Sequence, residues 1–156
     1  MIKLEGKYKY LIGMMRVLTL MSAFEKSKSY QMTFDKLILL DFYMRFPKTM
    51  LDLENYSLDF EELYSFYHSY PDREYYQEIL RILISKKLIE KEIRNSNFIY
   101  TINNSGYELV NSIDNLYSKN LVNTAQLIKK NISKLSETNM KEEISSKSLN
   151  NIHLLI

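Results

Sequence analysis

The chain has 156 residues, of which 46% are hydrophobic and 26% charged, and its 21 basic and 19 acidic residues give a formal net charge of +2. It contains no cysteine, which excludes disulfide bonds, thiol catalysis and cysteine-based zinc sites and favours a cytoplasmic location. The length predicts one domain, or one domain with an appendage, and the nearly balanced charge predicts no strong attraction to nucleic acid or to a membrane surface. With 3 Gly and 2 Pro, the chain has few helix-breaking residues and is expected to be mainly helical.

The first predicted element is an amphipathic helix over residues 8–24. Its apolar positions recur at three- and four-residue spacing, which predicts one buried face. Arg16 interrupts the apolar stretch, and no small-x-small cleavage site follows, so this segment is interpreted as a mature helix and not as a signal peptide. A polar break is expected over residues 27–31. The predicted buried face consists of Tyr8, Leu11, Ile12, Met15, Leu18 and Met21.

The second predicted helix lies in FDKLILLDFYMRFP, residues 34–47. Thr33 is a typical N-cap, and Pro47 ends the helix because the residue before a proline is disfavoured in the helical region. Apolar residues cover nearly the whole circumference, which predicts a helix buried on several sides. Asp41 and Arg45 are one turn apart, so we expect an ion pair along the helix at the edge of the core. The alternative is that one of them contacts a neighbouring subunit.

A tyrosine-rich segment follows, SLDFEELYSFYHSYPD, and it is expected to contain a short helix. Aromatic side chains bring large contact areas and a polar end, and they are enriched at protein interfaces. Tyr64 and Tyr67 are therefore candidate residues of a partner interface. Core packing is the competing interpretation.

A helix capped by Asp72 is predicted next, followed by a β-hairpin. The helix sequence is DREYYQEILRILISKK; the strands are predicted around Ile89 and Tyr100, with a turn at residues 95–97. The hairpin leads through YTINNSG into another helix. This order resembles the end of a winged helix-turn-helix domain, in which the last two strands form the wing. The expected fold is mainly α with a small β-hairpin wing, a winged helix-turn-helix with an extra N-terminal helix and a long C-terminal helix.

In a winged helix that binds DNA, the helix before the wing, here residues 72–87, is the recognition helix. The charge around it does not favour DNA recognition. Residues 72–94 contain six basic and five acidic side chains, and the acids of the helix itself lie in its first two turns, where a recognition helix would contact bases. Weak contact with DNA phosphates remains one interpretation of four basic residues, and a solvated surface is the other. These residues are Lys86, Lys87, Lys91 and Arg94.

The apolar pattern after the hairpin predicts one long helix over residues 107–135, with steps that approximate a heptad seam. A helix of this length is expected to pack on the N-terminal helix or on another chain, and Leu121, Ile128 and Ile132 are candidate interface residues. The expected domain organisation is therefore a winged-helix domain with flanking helices over residues 1–135, and a linker with an apolar tail over residues 136–156. The sequence leaves open whether the tail, NNIHLLI, folds back, docks into a partner or is disordered.

Motifs for catalysis and metal binding are not found in the sequence. The two histidines, His68 and His153, lie far apart and neither has metal-binding spacing, and there is no Gly-rich phosphate loop, GxSxG or HExxH. We therefore expect no enzyme activity, no cofactor, no metal and no small-molecule substrate.

Two stretches, FDKLILLDFYMRFP and LISKKLIEKEI…FIYTINNSGYELVNSI, resemble the small middle components of bacterial ABC-three-component systems, which include the small subunit of Lamassu-type anti-phage defence. The resemblance covers residues 33–113. It implies a non-catalytic winged-helix subunit whose partners are an SMC- or Rad50-like ATPase and an effector, often a nuclease. It also implies a scaffolding mechanism, in which the effector is held inactive until the ATPase engages DNA.

The alternative is a homodimeric winged-helix transcription regulator. It would dimerise through residues 107–135 and read a palindrome with residues 72–87. The acidic start of the predicted recognition helix counts against this alternative. A neighbouring gene for a coiled-coil ATPase would favour the first interpretation.

Overall fold

The computed structural model describes residues 2–24, 30–53 and 58–154, with side chains described from residue 8 onward. The described chain is mainly helical with one small antiparallel hairpin, which confirms the predicted composition of the fold. None of the described helices combines the length and the apolar character that crossing a membrane requires. The elements are α1 (Ile2–Phe24), α2 (Phe34–Arg45), α3 (Pro47–Met50), α4 (Phe60–Leu63), a 3-10 helix (Ser65–His68), α5 (Arg73–Ser85), β1 (Ile89–Arg94), β2 (Asn97–Ile102), α6 (Asn104–Ser112), α7 (Leu116–Ile132) and α8 (Glu137–His153).

Helix α2 forms the centre of the fold, as its sequence predicts. The Thr33 hydroxyl accepts a hydrogen bond from the Lys36 backbone N–H at 3.2 Å, which caps the first turn. All eight side chains from Leu37 to Met44 are buried. The helix ends before Pro47, which occupies the first position of α3.

The predicted buried face of α1 is confirmed only in the C-terminal half of the helix, where Leu18 and Met21 are buried. Its C-terminal half packs against α2, α6 and α7, whereas Tyr8, Leu11 and Ile12 are 59%, 49% and 44% exposed. Periodicity identifies an apolar face but not how far the neighbouring elements extend along it. The predicted break at residues 27–31 falls largely outside the described residues. The buried residues of α1 include Val17, Leu18, Leu20, Met21 and Phe24.

The β-hairpin has a two-residue turn. Asn95 and Ser96 have φ angles of 50° and 68°, the left-handed values that turns joining adjacent antiparallel strands require. The backbone N–H of Tyr100 on β2 donates a hydrogen bond to the carbonyl of Met32 at 3.0 Å. This bond attaches the hairpin to the segment that precedes α2.

The predicted long C-terminal helix is two helices. The backbone is extended at Ile113, with φ −84° and ψ 115°, and α7 begins anew after Asn115, whose side chain accepts a hydrogen bond from the Ser118 N–H at 2.8 Å. The apolar spacing continues through this break, so periodicity alone indicated one helix. Asn115 instead caps the start of a second helix. Helix α7 packs on α1 and α2.

Residues 136–154 are not a linker, and the structure corrects that prediction. Ser136 caps α8 by accepting a hydrogen bond from the Asn139 N–H at 3.1 Å. Helix α8 packs against α2, α3, α4 and the 3-10 helix through a narrow face. The buried face could not be recognised from an apolar pattern in the sequence, because two of its four residues are polar. The buried residues are Met140, Ile144, Ser148 and Asn151.

Candidate functional site

A buried ion pair joins α1 to α2 beneath a surface cleft. Arg16 donates from Nε to Oδ1 of Asp41 at 3.0 Å and from Nη2 to Oδ2 at 3.1 Å. The Tyr76 hydroxyl on α5 donates to Oδ2 at 2.5 Å. The predicted pair between Asp41 and Arg45 is therefore wrong. Asp41 is fully buried and faces α1 and α5, whereas Arg45 is exposed one turn later.

The environment fixes the protonation of this cluster. Burial lowers the pKa of Arg16, but the adjacent Asp41 carboxylate outweighs that effect and leaves the pKa above its ordinary value. Burial, and then the negative charge of Asp41, raise the pKa of Tyr76. Tyr76 thus remains a neutral hydrogen-bond donor, and Arg16 remains a cation.

A first cleft of about 440 Å³ opens above this cluster, between α1, α2, α5 and the segment that connects the 3-10 helix to α5. Arg45 and Tyr67 line it together, so the structure brings two predicted interface residues into one site. A second cleft of about 440 Å³ lies between α2, α8 and the same connecting segment. Residues 69–71 and the side chains of Ile38, Leu39 and Ile144 line both clefts.

Exposed aromatic rings continue from the first cleft towards α4. The ring centroids of Phe60 and Tyr64 are 4.4 Å apart, and those of Tyr64 and Tyr67 are 5.5 Å apart. Phe60 is 70% exposed, Tyr67 is 67% exposed, and Tyr70, in the connecting segment, is 91% exposed. Tyr64, the fourth ring, is half-buried between its neighbours. Phe60, Tyr64 and Tyr67 therefore form a contiguous aromatic surface, with Tyr70 exposed nearby at the first cleft.

Phe46 supports the polar side of the first cleft. Arg45 lies 5.1 Å from the Phe46 ring centroid, and the His68 ring stacks on Phe46 at 5.7 Å. Partial burial, and then the charge of Arg45, lower the pKa of His68, which the nearby Glu61 opposes. His68 is therefore neutral at pH 7.

The remaining predicted interface residues do not join this site. Leu121, Ile128 and Ile132 are 7%, 0% and 5% exposed, because α7 uses them to pack within the chain. The prediction that they contact another chain is corrected: of the two options that the sequence left open, packing on the N-terminal helix is the one observed.

The four basic residues predicted as phosphate contacts are exposed at the end of α5 and on the hairpin. Two of them have partners of their own. The Arg94 guanidinium lies 2.5 Å from a carboxylate oxygen of Glu92, and the Lys91 ammonium lies 4.0 Å from the Phe98 ring centroid. Phosphate contact by these two would compete with those interactions. The other two, Lys86 and Lys87, follow α5 directly.

A second buried polar cluster was not predicted from the sequence. The Glu62 carboxylate, with the residue 4% exposed, accepts hydrogen bonds from the backbone N–H groups of Lys48 and Thr49 at 3.1 and 3.0 Å, and from the Thr49 hydroxyl at 2.6 Å. Asn151 donates to the Thr49 hydroxyl at 2.8 Å and to the Glu62 carbonyl at 2.9 Å. The cluster joins α3, α4 and α8. No local signal could reveal it, because its members are far apart in sequence.

The described residues contain no group of three or more His, Cys, Asp or Glu side chains that could hold a metal ion. The two buried clusters hold helices together, whereas the two clefts and the aromatic surface are open to a ligand. We therefore take the clefts as the candidate functional site.

Comparison with known proteins identifies one family. A family model described as ABC-three component (ABC-3C) system Middle Component 2 matches residues 12–153. No curated protein and no solved structure is matched by the chain. The family match spans every element from the middle of α1 to the end of α8.

Proposed function

The chain belongs to the Middle Component 2 family of ABC-three-component systems, and on this basis we propose that it is a non-catalytic winged-helix subunit that connects an SMC- or Rad50-like ATPase to a nuclease-type effector. The complex would act in bacterial defence against phages or plasmids, as the resemblance to Lamassu-type systems suggests. The family match carries the proposal, because a middle component implies partner components.

The order of the elements supports the winged-helix part of the proposal. Helices α1 and α2 are followed, after the short helices, by α5 and a two-stranded hairpin. The bond between the Tyr100 N–H and the Met32 carbonyl adds the segment before α2 to the edge of that hairpin. A winged helix has a short strand in this position, and here a single hydrogen bond holds the irregular segment beside β2.

The surface around the clefts supports a role in binding proteins. Aromatic residues and arginine are enriched at the centres of protein interfaces and contribute a large share of binding energy there. Tyr67 and Tyr70 are largely exposed beside Arg45, although a tyrosine ring gains by being covered. A scaffolding subunit would use such a surface to hold a partner.

In the proposed mechanism the chain supplies contacts and no chemistry. It would bind the ATPase and the effector at the same time and hold the effector inactive until the ATPase engages DNA. The stability of α1, α2 and α5 as one unit, through Arg16, Asp41 and Tyr76, suits a rigid connector of this kind.

The alternative is a homodimeric regulator that reads DNA with α5. The exposed Lys86 and Lys87 at the end of α5 are the observation in its favour. Against it, Arg81 on the same helix pairs with Glu78 at 2.5 Å, and Arg73 pairs with Asp35 at 2.8 Å. Much of the positive charge on α5 is thus neutralised within the chain.

Co-expression with the products of the neighbouring genes tests the proposal. The tagged chain should purify in a stable complex with a coiled-coil ATPase and an effector, and native mass spectrometry would give the composition. A homodimer that purifies without these partners and shifts a DNA probe at moderate salt would overturn the proposal and support the regulator.

A further inference from the structure

The two clefts share one wall and can hold one extended ligand. Residues 69–71 form the segment between them, and Ile38, Leu39 and Ile144 lie at the base of both. A chain that crosses this segment could place an apolar side chain in each cleft.

The lining of the clefts selects apolar and aromatic groups. The first cleft exposes Tyr67 and Tyr75, and the second exposes Phe66. Tyr70 borders both and is 91% exposed. Because burying apolar area drives most association, a ligand with a bulky apolar side chain would gain by covering these rings.

The charges at the clefts favour a negative ligand, because two of the three acidic groups there are paired with arginines. Asp41 is paired with Arg16, and Asp35 is paired with Arg73 at 2.8 Å. Asp72, at the edge of the first cleft, accepts a hydrogen bond from the Tyr75 N–H as the N-cap of α5.

Other basic groups at the same clefts are not paired with carboxylates of the described residues. Within the part of the chain that the structure describes, neither Arg45 in the first cleft nor Lys141 in the second forms an ion pair with a carboxylate. Lys9, also at the first cleft, lies 5.0 Å from the Tyr75 ring centroid. One cation in each cleft is therefore available to a carboxylate of a ligand.

We propose that the two clefts form one binding site for an acidic peptide segment of a partner component, with at least one bulky apolar side chain flanked by carboxylates. This inference rests on the proposed function, because it assigns the surface through which the middle component holds one of its partners. The aromatic rings would take the apolar side chain, and Arg45 and Lys141 would bind the carboxylates.

An array of overlapping peptides that covers the sequences of the two partner components tests the inference directly. The purified full chain should bind peptides that combine net negative charge with a bulky apolar side chain, and added salt should weaken the binding. The single variants Arg45→Glu and Lys141→Glu should each lower the affinity for the best peptide by about tenfold or more. Tyr70→Ala, at an exposed position, should also weaken binding without affecting folding.

Matched controls separate a site from a general charge effect. Arg94→Glu and Lys130→Glu make the same charge change at exposed positions outside the clefts, and they should leave peptide binding within about twofold. Circular dichroism and thermal melting of every variant verify the fold. A peptide in which a glutamate is replaced by lysine should bind Arg45→Glu better than it binds the parent chain.

Several outcomes would overturn the inference. They are the binding of basic peptides only, the absence of any bound peptide, and a loss of affinity that is equal in the cleft and control variants. If this chain forms a dimer that the Tyr70→Ala substitution dissociates, the ligand of the clefts is a second copy of the chain.

If the complex with the ATPase and effector forms and survives the three cleft substitutions, the inference fails while the proposed function stands. If no such complex forms, the proposed function itself fails.

Discussion

Arg16 binds both carboxylate oxygens of Asp41, 25 residues away in sequence, at 3.0 and 3.1 Å. The Asp41 side chain is fully buried and that of Arg16 is 12% exposed, so the two charges are removed from water together. Two parallel hydrogen bonds fix the orientation of both side chains. The relative position of α1 and α2 depends on this contact.

Removing one member of the pair should be costly. Asp41→Asn leaves the Arg16 guanidinium buried beside a neutral amide, and we expect the free energy of unfolding to fall by about 3–5 kcal/mol. Urea denaturation measures this change. The double variant Arg16→Met with Asp41→Leu, which buries apolar groups instead, should recover most of the loss. Arg45→Gln is the control: a cost as large as that of Asp41→Asn would contradict the observed pairing.

Removing the hydroxyl group should change the free energy of unfolding by different amounts at two buried tyrosines. Tyr76→Phe removes the donor to Asp41 and should lower the free energy of unfolding by about 1.5–3 kcal/mol. The Tyr43 hydroxyl is buried and makes no hydrogen bond of good geometry in the described part of the chain, although Glu143 is near enough to raise its pKa, so Tyr43→Phe should cost less stability than Tyr76→Phe. Equal losses in the two variants, measured in urea, would argue against this difference.

The Glu62 cluster should control the stability of α3. Glu62→Gln places an amide N–H₂ group where backbone N–H groups now donate, and we expect a loss of about 2 kcal/mol or more in the free energy of unfolding. Hydrogen exchange at the Lys48 and Thr49 amides should become faster. Glu61→Gln, at the exposed neighbouring position, should change neither quantity.

Stability should fall in alkaline solution. Burial, and then the charge of Glu137, raise the pKa of Tyr30 to about 12, and burial raises the pKa of four further tyrosines. A pKa above the unfolded value of about 10 means that the unfolded chain loses protons first. The contribution of these groups is complete below about pH 10 and is lost as the pH rises through their folded-state pKa values. The four are Tyr43, Tyr75, Tyr76 and Tyr100.

Urea midpoints measured from pH 8 to 12 test this dependence, with tyrosinate absorbance recorded on the same samples. Ionisation of the buried tyrosines, seen in the tyrosinate absorbance, should coincide with the loss of the helical circular dichroism signal. A constant urea midpoint across the range would contradict the expected sign.

Local features of the fold could be predicted from the sequence because they depend on neighbouring residues. The cap at Thr33 and the cap at Asp72 each follow from side chains a few positions apart, and the structure confirms them. The hairpin turn was predicted at residues 95–97 and lies at residues 95 and 96, because Asn97 already belongs to β2. The burial of α2 was also predicted, since its apolar residues surround the whole helix.

The partners of the buried polar groups could not be predicted in the same way. The carboxylate of Asp41 has an arginine four residues away, but its position inside the fold selects Arg16 instead. Glu62 and Asn151 meet only because α4 and α8 pack together. Helix α8 was missed for a similar reason, since its buried Asn151 is satisfied by Thr49 and Glu62, which are distant in sequence.

The candidate site was predicted in part. Arg45 and Tyr67 were identified from residue type and do line one cleft. The base of the clefts includes Ile144 from α8, which no pattern near Arg45 could indicate. Leu121, Ile128 and Ile132 of α7 were assigned to a partner interface, because apolar residues have the same spacing whether a helix packs within its own chain or on another chain.

The position of Ile144 at the base of both clefts has a consequence for the timing of assembly. During synthesis α1, α2 and α5 leave the ribosome well before α8, so the site lacks part of its floor until α8 has been made. A ligand that needs both clefts would therefore bind only after α8 has joined the fold. The order of translation would protect the unfinished subunit from premature capture.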